Sequence, residues 1–268
     1  MPSPHRGLVC SEFQKGPRYA NWRPLGSGDW LLIYTAKGSG AYSSTSETLA
    51  TRVGDAILYA PGEEQRYGTA GRDWRLLWAH FPARPAWDPW LAWPRASNGV
   101  RMITLPSGEI RRSFVAAMKR MISLSRRNLP GSADIARNAL EEALLWAHSG
   151  ASGDPWFRVD SRLRRAADSL TADLRAPFRL ENTARGAGLS VSRFEHLFKQ
   201  AMACTPQQYL ERHRMDHAQS LLRVTSLSIG EIASEVGYED AFYFTNRFRR
   251  YTGQSPSAFR QNMMEGRG

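Results

Sequence analysis

Two segments in the C-terminal half of the chain carry side chains that can hydrogen-bond to the edges of nucleic-acid bases. His196 can donate to a guanine acceptor, Arg193 can bind guanine through two hydrogen bonds or bind a phosphate, and Asn246 suits adenine. The candidates are Ser192, Arg193, Glu195, His196, Asp240, Ala241, Phe242, Tyr243, Asn246, Arg247, Arg249 and Arg250. The last three are arginines suited to phosphates, which position a protein without specifying a sequence. Taken singly, each side chain could instead belong to a solvated helix face.

A helix–turn–helix pattern would hold the second group of candidates. Ser228 and Glu231 form a capping box at a helix start. Gly237 ends that helix, because a left-handed residue costs glycine almost nothing. A second helix is predicted over about residues 241–251, with two phenylalanines four apart on its buried side. Ala233, four residues before the glycine, lets the two helices cross closely.

The same pattern occurs a second time, around the first group of candidates. Ala184, Gly188 and Phe198 match the alanine, glycine and phenylalanine of the other copy, and Thr205-Pro206 matches Ser255-Pro256. On these residues the chain resembles the AraC family of bacterial transcription regulators, whose DNA-binding domain has two such motifs joined by a long helix. The resemblance implies a bridging helix over about residues 206–222 and two recognition helices in successive major grooves, about 34 Å apart.

Three details distinguish the first copy and its approach. Gly186 is predicted in mid-helix, where glycine costs ~1 kcal/mol against alanine. Ala203 stands where the second copy has Gly253, so a left-handed turn there should be strained. The helix that precedes the first motif is expected to be capped by Ser161.

Composition agrees with a DNA partner but does not locate it. The chain has 268 residues, enough for two domains, and a formal net charge of +11. A solvated, arginine-rich surface explains this charge as well. Residues 151–268 hold 17 Lys+Arg against 13 Asp+Glu, and residues 1–150 hold 19 against 12.

Cys10 and Cys204 fall in different predicted domains and offer neither a disulfide framework nor a metal pair. No apolar run approaches the ~20 residues that span a bilayer, so we expect a cytoplasmic protein without a membrane partner.

Short strands separated by turns are predicted in the N-terminal part. Strands are expected at Trp30–Ala36, Ala56–Ala60 and Trp74–Phe81. A hairpin turn is expected at Lys37–Gly40, and a further turn after Arg66–Gly68. Many short strands at regular spacing predict a double-sheet or barrel fold, of which the cupin jelly roll is one form.

The segments GDAILYAPGEEQRYG, WDPWLAWP and WRPLG resemble the sugar-binding domain of the AraC family. The resemblance implies ligand contacts at Arg23, Tyr67 and Trp78. An aromatic face suits the C–H side of a sugar ring and polar groups suit its hydroxyls, although an inward tryptophan can equally be core. Leu76 stands at a ligand position that is a polar histidine in the arabinose-binding domain, and Val9 at an arm position that is polar there. Losing hydroxyl partners should cost discrimination for arabinose.

Helices are predicted after the strands, the second beginning near Ser132. Ile135, Leu140 and Leu144 lie on a wide apolar stripe, which is either core or a contact with a second subunit, and the resemblance implies a dimer. Small residues then predict a flexible linker. The expected domains are a cupin-like effector-binding β domain with an N-terminal arm (1–105), a helical dimerisation segment (106–148), the linker (149–159) and the double helix–turn–helix domain (160–262).

These predictions describe an α+β chain: a cupin-like β-barrel or jelly roll with a helical segment, then an all-α DNA-binding domain. They favour a homodimeric transcription regulator that binds double-stranded promoter DNA under control of a small effector, by resemblance a carbohydrate, with RNA polymerase as a further partner. No catalytic, metal or cofactor site is predicted. A cupin metal site needs several clustered histidines, and the barrel region holds only His80. The alternatives are a metal-free cupin-type sugar-binding or sugar-modifying enzyme with a fused helical domain, and a constitutive architectural DNA binder.

Overall fold

The computed structural model describes residues 7–44, 47–106, 108–127, 129–152 and 159–265. The chain divides into two compact units, Met1–Phe157 and Arg158–Gly268. No helix in these described ranges is long and apolar enough to cross a bilayer.

The N-terminal unit is built on one antiparallel sheet. Its described strands are β1 Val9–Lys15, β2 Ala20–Arg23, β3 Trp30–Ser43, β4 Thr48–Ala50, β5 Asp55–Tyr59, β6 Gln65–Phe81 and β7 Arg101–Thr104. The order across the sheet is β1-β6-β3-β5-β7, with β2 added to β6 and β4 added to β3.

The two predicted turns in this region are wrong. Strand β3 continues through Lys37–Gly40, and β6 continues past Arg66–Gly68. The two long strands pair with each other from Trp30 opposite Phe81 to Tyr42 opposite Tyr67. These two long strands therefore form the centre of the sheet.

The glycines that suggested a hairpin in β3 serve a different purpose. The register between β3 and β6 shifts twice, between Thr35 and Lys37 and between Gly38 and Gly40. A Cβ on Gly40 would lie 2.5 Å from the Trp74 ring, and one on Gly38 would lie 2.1 Å from a backbone oxygen on β6. These glycines allow close approach of the neighbouring strand at a bulge.

Both faces of the sheet are buried. One, here called the helix face, packs against helices α1 Asp88–Leu91, α2 Glu109–Ser125 and α3 Ser132–Ala151. Its core includes Leu32, Leu58, Leu77, Phe81, Phe114, Met118 and Leu144. The other, here called the pocket face, buries a second cluster that contains Leu31, Ile33, Tyr42, Tyr59, Tyr67, Trp74 and Leu76. Successive side chains of a strand alternate between these faces.

Most of the predicted apolar stripe on α3 is core. Ala139, Leu140, Ala143 and Leu144 are buried within the unit. The predicted linker also begins too early, because α3 extends to Ala151. Residues 153–158 lie outside the described ranges.

The C-terminal unit is all helical in its described part. Its helices are α4 Ser161–Ala172, α5 Leu180–Gly186, α6 Val191–Met202, α7 Pro206–Val224, α8 Ile229–Glu235, α9 Ala241–Thr252 and α10 Pro256–Glu265. Helices α5 and α6 form the first helix–turn–helix, α8 and α9 the second, and α7 bridges them. The α+β class with an N-terminal antiparallel sheet and a C-terminal helical domain is therefore confirmed.

Three local predictions in this unit have different outcomes. The cap of α4 is Asp160 and not Ser161, since Asp160 Oδ1 accepts the Arg162 amide at 2.9 Å. Gly186 is the last residue of α5 and not a mid-helix residue, so its helix cost is smaller. Ala203 has φ 56° and is the one non-glycine residue with positive φ among those described, which confirms the predicted left-handed turn.

Candidate nucleic-acid interface and ligand cavity

The two candidate recognition helices begin with side-chain caps. Ser190 Oγ accepts the Arg193 amide at 3.4 Å at the start of α6. Asp240 Oδ1 accepts the Tyr243 amide at 2.7 Å at the start of α9. Capped first turns hold the outward side chains of each helix in a fixed direction.

Most of the predicted base-reading side chains are exposed on these helices. The exposed candidates are Ser192, Arg193, Glu195 and His196 on α6, and Ala241, Phe242, Tyr243, Asn246, Arg249 and Arg250 on α9. Phe242 is 77% exposed and Tyr243 is 55% exposed. Large aromatic side chains at such exposure are available to a partner.

Asp240 and Arg247 are less available than the sequence suggests. The Asp240 carboxylate caps its own helix. Arg247 is half-buried, and its Nε donates to Glu211 Oε1 at 2.6 Å. Arg247 therefore links α9 to the bridging helix and has less freedom to reach a phosphate.

A set of contacts that the sequence did not reveal joins the bridging helix and the second motif to the loop before the first motif. From α7, Arg214 donates through Nε to the Leu174 carbonyl at 2.9 Å and through Nη2 to the Ala176 carbonyl at 2.9 Å. Its guanidinium also lies 5.6 Å from the centroid of the Tyr238 ring. Gly237 fits against this arrangement, because a Cβ there would lie 2.3 Å from the Leu174 oxygen. The loop before α5 and the turn of the second motif are thus held together.

A small cavity lies on the pocket face of the N-terminal unit. Its volume is about 80 Å³, and its lining is Phe13, Tyr19, Asn21, Arg23, Tyr67, Leu76, Trp78 and His80. Four of the five predicted ligand positions, namely Arg23, Tyr67, Leu76 and Trp78, therefore meet at one site. Val9 does not line it; this residue is 41% exposed and pairs with His80 across β1 and β6.

Sequence reasoning missed half of the lining. Strand alternation is the signal that could have found it: Asn21 lies two residues before Arg23 on β2, and His80 lies two residues after Trp78 on β6. Phe13 lies 5.2 Å from Trp78 between ring centroids, in a tilted arrangement. The cavity is consequently aromatic on one side.

Hydrogen bonds orient the polar groups of the cavity. Arg23 Nη1 donates to Gln65 Oε1 at 3.0 Å, and the fully buried Gln65 amide donates to Ser27 Oγ at 2.9 Å. His80 Nδ1 lies 2.8 Å from Asp29 Oδ1, both side chains being buried. These contacts fix the arginine and the imidazole in place.

The two tyrosine hydroxyls in the lining stay neutral. Burial, reinforced by the neighbouring Tyr67, raises the pKa of Tyr19 to about 12. Burial also raises the pKa of Tyr67, although Arg23 opposes the shift. Among the described residues, no group of three His, Cys, Asp or Glu side chains is placed to hold a metal ion.

Two family models match the chain. One, described as an AraC-like ligand binding domain, matches residues 14–149, and the other, described as a helix-turn-helix domain, matches residues 183–262. The chain belongs to the AraC family. The first match covers most of the sheet, all of the cavity lining except Phe13, and nearly all of helices α1 to α3, and the second covers nearly all of both helix–turn–helix motifs.

This AraC-family chain resembles regulators over most of its length. It is 31% identical to the arabinose operon regulatory protein of Salmonella typhimurium over 243 residues, 89% of this chain and 85% of that one. It is 30% identical to the Escherichia coli protein of the same name over 246 residues, 91% and 84% of the two chains. It is 35% identical to the HTH-type transcriptional activator RhaR of Klebsiella pneumoniae over 242 residues, 90% and 78%. The AraC-family chain is a transcription regulator with a DNA-binding and a ligand-binding domain, and not an enzyme.

Proposed function

We propose that a small carbohydrate or carbohydrate-derived effector, bound in the cavity, controls the binding of the double helix–turn–helix domain to promoter DNA. The cavity carries this proposal, because Arg23, Tyr67 and Trp78 converge there. Two relatives are named for the arabinose operon. Leu76 gives the cavity an apolar wall, so we expect arabinose itself to bind weakly.

In this proposal α6 and α9 enter successive major grooves of double-stranded DNA. Arg193 and His196 on α6 and Asn246 on α9 contact base edges, while the exposed ring of Phe242 packs on a thymine methyl. Arg249 and Arg250 bind phosphates and supply the salt-dependent part of the affinity. The exposure of these side chains supports the assignment.

We further propose that two copies associate through the outer face of α3. Ile135 is 52% exposed and Leu145 is 42% exposed on this face, and Asn138 and Glu142 lie between them at spacings of three and four residues. Such a spacing presents a narrow seam to a second helix. The rest of the apolar stripe is used in the core, so the dimer contact is small and polar at its centre.

We place this regulator in the cytoplasm, where promoter DNA is found in bacteria, and propose RNA polymerase as its further partner. Regulators that bind beside a promoter act by changing the recruitment or the progress of polymerase. This assignment follows from the DNA-binding function alone.

The test is binding of the full chain to DNA flanking its own gene, against competitor DNA, with and without pentoses, hexoses and their acids. Specific binding that changes with one compound supports the proposal.

Asn246→Ala should cost about 1–3 kcal/mol of binding free energy at one base pair. Arg250→Gln should weaken binding to all sequences and reduce the salt slope by about one. The matched control Arg127→Gln, an exposed cation in the N-terminal unit, should leave DNA binding unchanged. Specific binding indifferent to every compound would refute effector control by this class.

A further inference from the structure

The cavity holds a positive charge without a counter-ion beside it. Arg23 is half-buried, and its hydrogen bond to Gln65 uses a neutral amide oxygen. In the part of the chain that the structure describes, Arg23 has no carboxylate partner. The buried Asp29 carboxylate lies behind His80 and does not line the cavity. An arginine in such a position is suited to bind an anion through several donors.

Two other side chains of the lining, Trp78 and Asn21, carry buried N–H donors. Trp78 Nε1 is buried and has no hydrogen-bond acceptor among the described residues. Asn21 Nδ2 is a second buried donor without a hydrogen bond of good geometry, although the amide lies beside the Tyr67 hydroxyl. Buried donors without acceptors are costly, so a ligand that supplies oxygen acceptors would be favoured here.

The described lining has neutral acceptors, namely the Tyr19 and Tyr67 hydroxyls and the Asn21 carbonyl, but no charged one, and this matters for the choice of ligand. No Asp or Glu side chain belongs to the described lining. A neutral sugar can donate a hydrogen bond from each hydroxyl, and the described lining offers no carboxylate to accept it. Leu76 removes a further polar group from the wall. A carboxylate, which only accepts, matches the donors that are present.

The volume limits the size of the bound group. A cavity of about 80 Å³ has room for roughly two or three water-sized groups, at about 30 Å³ each. A carboxylate with its neighbouring carbon and hydroxyl fits this space, whereas a pentose or a five-carbon acid requires the lining to move apart. The Trp78 ring remains available for the C–H surface of the bound group.

We propose that the effector is a hydroxy acid of the sugar-acid class, whose carboxylate is bound by Arg23, Trp78 Nε1 and Asn21 Nδ2. This inference rests on the proposed function, because it names the ligand class of the same cavity. The carboxylate accepts from the guanidinium and from the two buried donors, and the remaining hydroxyls lie near Tyr67 and His80. Leu76 and Phe13 pack against the carbon atoms.

The experiment is calorimetric titration of the full chain with two matched pairs of compounds. Glycerate and glycerol differ in the carboxylate alone, whereas arabinonate differs from arabinose in the carboxylate and in having an open chain. At least one acid should bind about tenfold or more tightly than its neutral partner, since charge-assisted hydrogen bonds to arginine are the strong ones. The same acid should change binding to the promoter fragment.

Three variants separate binding by these donors from a general effect of charge. Arg23→Met should remove the preference for the acid, lowering its affinity about tenfold or more while the neutral partner changes little. Trp78→Phe keeps an aromatic ring but removes the indole N–H and part of the ring area, so it should lower acid affinity by a smaller factor. Arg66→Met removes an exposed cation one residue from Tyr67 and should leave both affinities unchanged.

The outcomes distinguish this inference from the proposed function. If arabinose or glycerol binds as tightly as its acid and also changes DNA binding, effector control stands and the acid assignment is overturned. If an acid binds equally well to wild type and Arg23→Met, the assignment is overturned as well. If none of the four compounds binds, the acid assignment is overturned, and the wider panel of pentoses and hexoses decides whether effector control stands.

Discussion

The turn glycines of the two helix–turn–helix motifs offer a matched pair of substitutions. Gly188 and Gly237 occupy the same place in the two copies and both have positive φ, 66° and 77°. Their surroundings differ. A Cβ on Gly188 would meet nothing within 4 Å, whereas one on Gly237 would lie 2.3 Å from the Leu174 oxygen and 2.6 Å from Arg214 Nη2.

The expected costs follow from this difference. Gly188→Ala pays only for a left-handed alanine, about 1–2 kcal/mol. Gly237→Ala bears the same strain and also displaces the Arg214 guanidinium, which makes two hydrogen bonds to backbone carbonyls. A hydrogen bond to a charged group is worth about 1.5–3 kcal/mol. We therefore expect Gly237→Ala to lower the free energy of unfolding of the C-terminal unit by about 3–5 kcal/mol, a large part of the 5–15 kcal/mol typical of a domain.

Scanning calorimetry of the full-length variants would measure this difference, and fluorescence anisotropy with a promoter fragment would show its effect on DNA binding. Gly188→Ala should bind DNA nearly as well as wild type at a temperature where both are folded. Gly237→Ala should bind more weakly, because it disturbs the contact that joins the motifs. Equal losses of stability in the two variants would refute the role assigned to the Arg214 contact, since only backbone strain would then remain.

Three further predictions concern single side chains. Ala203→Gly should stabilise the C-terminal unit by about 1 kcal/mol, measured by calorimetry, because alanine is strained at φ 56°; no gain would mean that the turn relaxes without cost. The Arg162 side chain and amide lower the pKa of Asp160 to about 2. The ionised Asp160 carboxylate therefore stabilises the fold fully above its unfolded pKa, and this stabilisation is lost as the pH falls through about 2. Asp160→Asn should therefore make the free energy of unfolding less dependent on pH in acid. Leu76→His should raise the affinity for neutral sugars relative to acids in the calorimetric titration, since it makes this wall of the cavity polar. An unchanged ratio of the two affinities would show that residue 76 does not determine specificity.

The helical half of the fold could be predicted closely because its signals are local. Caps, turn glycines and the spacing of buried phenylalanines each lie within a few residues of one another, and the duplication allowed each copy to check the other. Even the strained Ala203 follows from comparison with Gly253. The Arg214 contact could not be found in this way, because its partner carbonyls lie 40 and 38 residues away along the chain.

The sheet was harder to predict than the helices, because a glycine in a β pattern has two possible structural roles. A glycine in a β pattern marks a turn or a close approach, and only the partner strand decides between them. Trp74 sits against Gly40, a contact invisible in the sequence. The same holds for the cavity: the resemblance implied Arg23, Tyr67 and Trp78, but the donors and acceptors around them come from side chains on β2, on β6 and in the loops beside β2.

The contacts within the C-terminal unit constrain how an effector can act. Arg214 ties the loop before the first motif to the second motif, and Arg175 forms an ion pair with Glu235 across the same junction. The spacing of the two recognition helices is therefore set inside the unit. A ligand shifts an equilibrium only by its differential affinity for two states, and these contacts oppose a change in the spacing of the two motifs. We therefore expect the effector to change which arrangement of domains or of paired copies binds DNA, and the DNA contacts of one unit to be the same with and without it. Footprints of a single half-site in both conditions would test this, and a half-site whose contacted bases change with the effector would contradict it.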